Sequence, residues 1–328
     1  MKKQSMQPMT RRAAAAAAGL VLAAATIALP AFAASENQQG QGQAIVTVLP
    51  GKDASAPALQ QQNASLKVNG KESNITRVTP LGPNAPVELV VLIDSSARAS
   101  LGNQLNEISQ FIQSLPPNVS AAVAYMQNGQ AALTGPLSTD RAEVARGLRL
   151  TGMVPGSSAS PYFCLSDLAK HWPSTNAAAR REVVMLTDGV DYYDGVRRYD
   201  PNDPYVQAAV QDAVRARLIV YSIYWENTGR LDRSMMVENT GQNLLITLTS
   251  ATGGASYWQG YGDPVNVQPY LADITRRLNH QYEVSFMAAS TAKPQVESFR
   301  LKMSAPGAKI DAPEQVLVTG AEAAGGQE

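Results

Sequence analysis

Only one cysteine, Cys164, stands in the 328 residues, so no internal disulfide can form and the fold must rest on its apolar core. It lies in the stretch PYFCLSDL, where it reads as a small buried hydrophobe. Histidine is almost as scarce. His171 and His280 are the only two, neither falls in a zinc-ligand or catalytic-triad spacing, and both lie near helix ends. Basic residues do not exceed acidic ones, 27 against 27, and no basic patch carries interleaved aromatics, which removes the electrostatic basis for nucleic-acid binding. A glycine-rich phosphate cradle is missing too, and this counts against phosphoryl chemistry. Beyond AAAAAAGLVLAAATIAL near the N-terminus, no run is long and apolar enough to cross a bilayer.

That run follows Lys2, Lys3, Arg11 and Arg12 and ends in Pro30, Ala31, Phe32 and Ala33, the pattern of an export signal cleaved after Ala33. A membrane anchor is the alternative reading, but the run is Ala-rich, is broken by Pro30 and leads into a polar tail rather than basic stop residues. Export places the expected location in the periplasm or outside the cell, by a general or a twin-arginine route, since TRRAA suits the latter only in part. Cleavage removes four basic residues and no acidic ones, leaving a formal charge of about −4 and no membrane span.

Residues 34–43, ASENQQGQGQ, are polar and low in complexity and read as a flexible leader. Short alternating segments from 44 to 84 read as a small β unit with an NGK turn, and Pro83 and Pro86 mark its end. From 85 to 289 strands alternate with helices. VELVVLI is a buried strand, and Leu101, Leu105, Ile108, Phe111, Ile112 and Leu115 then recur at helical spacing. REVVMLTD, RLIVYSIYW and a last strand QYEVSFMA follow, with helices near 204–215 and through NLLITLTSATGG. The expected fold class is therefore α/β: a doubly wound, mostly parallel, Rossmann-like sheet with helices on both faces. Strand-like pieces in 290–320 are expected to rejoin the N-terminal β unit, and 321–328 reads as a disordered tail.

In an open α/β sheet, ligands bind beyond the carboxyl ends of the strands. Two very apolar strands end there in aspartate, VVLID at Asp94 and VVMLTD at Asp188. Aspartate also commonly begins a loop, so the shared placement is open to a purely local reading. Ser160 precedes Pro161 and suits a helix cap.

The run VELVVLIDSSARAS resembles the first strand and metal-site loop, DxSxS, of von Willebrand factor A-type domains. VVMLTDG is similar to the strand carrying that family's later metal loop, and GSSASPYFCLSDL to the loop that brings its metal-binding threonine. The likeness covers roughly residues 44–310 and points to an exported bacterial branch of the family. It implies a Mg²⁺ (or Mn²⁺) ion held by oxygen ligands, with an open position that accepts a carboxylate from a protein partner. Asp94 and Ser96 match the first aspartate and serine, Ser160 stands for the threonine, and Asp188 matches the last aspartate.

Arg98 departs from the pattern, because it occupies the second serine's place and a guanidinium cannot ligate a metal. Two unit charges 4 Å apart interact by about 4 kcal/mol at an effective dielectric near 20, so an inward Arg98 would repel the ion. Either Arg98 turns outward, or it replaces the metal by pairing with Asp94 and Asp188; the suitability of arginine for bidentate carboxylate pairing favours the second.

Asp191, Asp194, Asp200, Asn202 and Asp203 form an acidic stretch without the spacing of a calcium loop and read chiefly as turn residues. Tyr192, Tyr193 and Tyr199 offer a contact surface. The expectation is a non-enzymatic binding module, for adhesion or assembly, with a degenerate metal-ion-dependent adhesion site. The alternatives are a metal-dependent hydrolase using Asp94 and Asp188 and a structural protein of the envelope.

Overall fold

The computed structural model describes residues 39–51, 57–150, 160–193, 200, 202–227, 234–291, 293–304 and 308–320. The proposed export signal, residues 34–38 of the leader and the tail 321–328 lie outside them. In chain order the first elements are β1 (Gln39–Leu49), β2 (Ala64–Val68), β3 (Lys71–Pro80), β4 (Val87–Asp94), α1 (Leu105–Ser114), β5 (Val119–Gln127), β6 (Gln130–Leu133), α2 (Arg141–Arg146) and α3 (Pro161–Lys170). There follow β7 (Arg180–Thr187), α4 (Pro204–Arg215), β8 (Leu218–Tyr224), α5 (Met235–Thr252), β9 (Ser256–Tyr257), α6 (Gln268–Leu278), β10 (Gln281–Ala289), β11 (Gln295–Met303), β12 (Lys309–Asp311) and β13 (Gln315–Thr319).

Two sheets organise these strands. The first is antiparallel in the order β10-β3-β2-β11-β13-β1-β12, and a further pairing of β10 with β1 closes six of its seven strands into a barrel. Closure removes the free edges that an open antiparallel sheet would leave. The second sheet is mixed, in the order β6-β5-β4-β7-β8-β9, with β5, β4, β7, β8 and β9 parallel and β6 antiparallel at one edge.

This corrects the expected doubly wound, Rossmann-like fold. Strand β10, assigned from its sequence to the parallel sheet, pairs with β1 over nine residues and with β3 on its other side, so it belongs to the barrel. The alternation of QYEVSFMAA buries one face, as a barrel wall requires, whereas strands covered on both faces read as continuous apolar runs. The leader is corrected as well. Residues Gln39–Gln43 form the start of β1, with Gly40 and Gly42 buried and Gln39, Gln41 and Gln43 exposed, a period of two that low complexity concealed.

The barrel interior is filled by Val46, Val48, Leu66, Val284, Phe286, Phe299 and Val318, among others. In the mixed sheet every residue of β4 is buried. Leu89, Val91 and Ile93 pack with α1 and α6, while Val90 and Leu92 pack with α3, α4 and α5. The turns β2–β3 and β5–β6 both use Asn-Gly in left-handed conformation, with φ of 49° and 74° at Asn69 and Gly70 and 50° and 75° at Asn128 and Gly129, the twist that a two-residue hairpin favours. At the amino end of the mixed sheet, Glu182 of β7 is fully buried and accepts from Gln281 Nε2 at 2.9 Å, which ties β7 to barrel strand β10. Arg180 donates to the Gln281 side chain and to Leu278 O at 3.1 Å, strengthening the same seam.

Candidate functional site

Strands β4 and β7 are parallel neighbours, paired from Val87 with Arg180 to Ile93 with Leu186. Their carboxyl ends therefore deliver Asp94 and Asp188 to the same edge of the sheet. Both side chains are buried. A carboxylate removed from water is costly unless its oxygens are satisfied, and here each oxygen accepts a hydrogen bond. Asp94 Oδ1 accepts from Ser96 N at 2.8 Å and Oδ2 from Thr187 Oγ1 at 3.0 Å. Asp188 Oδ1 accepts from Val190 N at 3.0 Å and Oδ2 from Tyr192 OH at 2.8 Å.

Helix α3 begins beside this edge. Tyr162 OH donates to Gly189 O at 2.7 Å, and Asp94's charge adds to the burial that pushes the Cys164 thiol up to about 12. Such a thiol stays protonated and is no nucleophile. Ser160 occupies the N-cap position of α3 with extended backbone but makes no capping bond. Its hydroxyl is buried, with the residue 1% exposed, and has no partner among the described residues. Helix α5 crosses the same turn closely: a Cβ on Gly241 would stand 2.0 Å from Asp188 O, and one on Gly189, whose φ is +69°, 2.5 Å from Leu245 Cγ. Only glycine at both positions allows that approach.

Arg98 does not fill the crevice, which corrects the favoured reading of the sequence. Its guanidinium forms an ion pair with Glu226, just beyond β8, and its N–H donates to Glu226 O at 2.9 Å. A bridge between Ala97 and Asn227 fixes the two segments side by side. Glu226 N in turn donates to Asp263 Oδ1 at 2.7 Å, and Ser100 Oγ to Asp263 Oδ2 at 2.6 Å. Burial raises the Asp263 carboxyl above its ordinary value. Thr187, Glu226 and Asp263 were missed in the sequence. For Glu226 a signal existed, since it follows the apolar strand RLIVYSIYW at the carboxyl edge much as Asp94 and Asp188 follow theirs.

The acidic stretch serves local structure. Asp191 accepts from Tyr193 N at 2.9 Å, Asp200 from Asn202 N at 2.8 Å, and Asp203 caps α4 through Tyr205 N and Val206 N. Asp194 and Tyr199 lie outside the described residues. Tyr193 is exposed and packs edge-on against Phe163 and Tyr205. His171 pairs with Asp167 on α3, and His280 bonds Arg276 O. Among the described residues no group of three or more His, Cys, Asp or Glu could hold a metal. The donors at this edge are two carboxylates and serine hydroxyls, hard oxygens of the kind Mg²⁺ takes.

No protein-family model matches the sequence, and no curated protein matches it. Among solved structures, an aerotolerance-related membrane protein from Bacteroides fragilis is similar at 14% identity over 59% of this chain and 98% of that one, with a TM-score of 0.42. A conserved hypothetical protein BatB from Bacteroides thetaiotaomicron is similar at 14% identity over 58% and 97%, with a TM-score of 0.40. A proximal thread matrix protein from mussel byssus, described with a zinc-occupied MIDAS motif, is similar at 12% identity over 65% of this chain and 50% of that one, at 0.40. The overlaps are partial and the identities low, so the functional reading rests on the geometry of this chain.

Proposed function

We propose that this chain is an exported, non-enzymatic binding module for adhesion or assembly. Its contact point is the carboxyl edge of the mixed sheet, where Mg²⁺ or Mn²⁺ held by Asp94, Ser96, Ser160 and Asp188 presents an open position to an acidic side chain of a protein partner. The observation that carries this reading is the convergence of two buried carboxylates from adjacent strand ends beside a buried serine hydroxyl that has no partner among the described residues. The ion, when bound, supplies a positive charge that attracts the partner's carboxylate. The protein's part is to orient the ligands: Thr187 and Ser96 hold Asp94, while Tyr192 and Val190 hold Asp188. Glu226 neutralises Arg98 and gives the guanidinium a partner other than the two aspartates, which lessens its repulsion of a cation. The site retains one serine fewer than the sequence resemblance calls for.

Calorimetric titration of the purified mature protein with Mg²⁺ and Mn²⁺, followed by capture from envelope extracts with and without the ion, tests the reading. Binding and ion-dependent capture, both lost in Asp94→Ala, are expected. Absence of ion binding, or identical capture by the variant, overturns it. Turnover of generic phosphate or ester substrates that disappears in Asp94→Ala would replace binding by hydrolysis.

A further inference from the structure

We propose a second and separate binding site, for a small anion bearing two oxyanion groups, in the cleft where the barrel wall meets the α4–β8 turn. The cleft encloses about 450 Å³. Its floor is one row across three adjacent strands: Arg77 of β3 stands opposite Ser285 of β10, and Ser285 opposite Gln43 of β1. Arg217, from the turn between α4 and β8, closes the row by donating from a guanidinium nitrogen to Gln43 Oε1 at 2.7 Å. With strands roughly 4.8 Å apart, the backbones of Arg77 and Gln43 are separated by about 10 Å, so two guanidinium groups flank a polar floor.

Three features favour an anion here. The lining includes both arginines and no aspartate or glutamate. Neither arginine has a carboxylate partner among the described residues, and Glu283, the acid two positions from Ser285, lines the adjoining crevice, which Arg217 and Gln43 also border, without forming an ion pair with Arg217. The β3–β10 register slips between Ser285 and Phe286, so Thr76 is an extra residue on β3, and both Thr76 and Arg77 line the cleft. A bulge of this kind re-aims side chains and recurs beside binding sites. Arg217 holds a left-handed backbone, φ 57°, pinned by its N–H to Val214 O at 3.1 Å, and that conformation ends α4 with the side chain over the barrel wall. The two arginines come from the two sheets' separate regions, so one ligand would clamp both, and planar guanidinium forks match carboxylate or phosphate oxygens.

Calorimetric titration in metal-free buffer with citrate and with pyrophosphate, against acetate at matched ionic strength, provides the test. Both two-headed anions should bind and acetate should not. Arg77→Gln and Arg217→Gln should each raise Kd about tenfold or more, the loss of one charge-assisted contact. Both side chains are exposed, so ligand-free melting of the variants should match the wild type and serve as the folding control. Asp94→Ala should keep full affinity, which separates this site from the metal-binding reading. No heat with either anion, wild-type affinity in both arginine variants, or loss of binding in Asp94→Ala overturns the proposal.

Discussion

The hydroxyl of Thr187 donates to Asp94 Oδ2 at 3.0 Å, joining the last residue of β7 to the last residue of β4 inside the crevice. Thr187→Val keeps the shape and removes the donor, leaving a buried carboxylate oxygen short of a hydrogen bond. A loss of roughly 1–3 kcal/mol is expected, read as a lower urea midpoint at unchanged slope. An unchanged midpoint would mean that water or another donor replaces the hydroxyl at no cost.

Ser160 allows a sharper separation of stability from binding. A working N-cap serine costs typically about 1 kcal/mol when changed to alanine, but this one makes no capping bond. Ser160→Ala should therefore leave the melting temperature within experimental error or raise it, while weakening Mg²⁺ affinity several-fold in calorimetry. A destabilised variant with wild-type ion affinity would show a structural hydroxyl and no ligand.

The Arg98–Glu226 pair makes an electrostatic prediction. Arg98 keeps about a quarter of its side chain exposed while Glu226 is buried, so solvent screens the pair only in part. Glu226→Gln removes the counter-charge and leaves a cation two positions from Ser96. Mg²⁺ affinity should fall, more steeply at low salt, and Arg98→Ser added to Glu226→Gln should restore it. If the single variant binds Mg²⁺ like the wild type across salt concentrations, Arg98 has no influence on the ion.

Glu182 predicts a pH dependence located away from the site. Burial raises its carboxyl from 4.5 to about 7, against the smaller opposing effects of Arg180, Gln281 and Tyr221. Because the folded value is the higher one, the group's stabilising contribution is fully present below pH 4.5 and is lost as pH rises through about 7. Glu182→Gln stays neutral throughout. It should flatten the stability profile between these limits and be more stable than wild type at pH 8 by on the order of 1–3 kcal/mol, read from denaturation at several pH values. A wild-type profile already flat over that window would contradict it.

Much of the local structure was legible. VELVVLI reads as a strand covered on both faces and is β4, the Asn-Gly pairs mark two hairpins, and Gly253 closes α5. The start of α5 at Met235 was not anticipated, because MMVENTGQ carries little periodicity and owes its helix to the Ser234 cap and to packing across Gly241. The two strand-end aspartates were legible for the same reason as β4, since a buried run that stops at a carboxylate stops at a sheet edge. The partner of Arg98 was not. Glu226 lies far along the chain, and the pairing exists because the loop after β4 passes over the end of β7 to meet the segment after β8.

What the amino-acid sequence determined by itself was most of the strands and helices, the two Asn-Gly turns and the chemical kind of the candidate ligands, because hydrophobic period, Asn-Gly turns and residue type are local properties. Only the tertiary structure decided that β10 leaves the parallel sheet to close a barrel with β1 and β3, and that Arg98 answers to Glu226 rather than to Asp94 and Asp188. Strand partners and ion-pair partners are choices among distant segments, and an alternating strand or a free guanidinium carries no mark of which one it will meet.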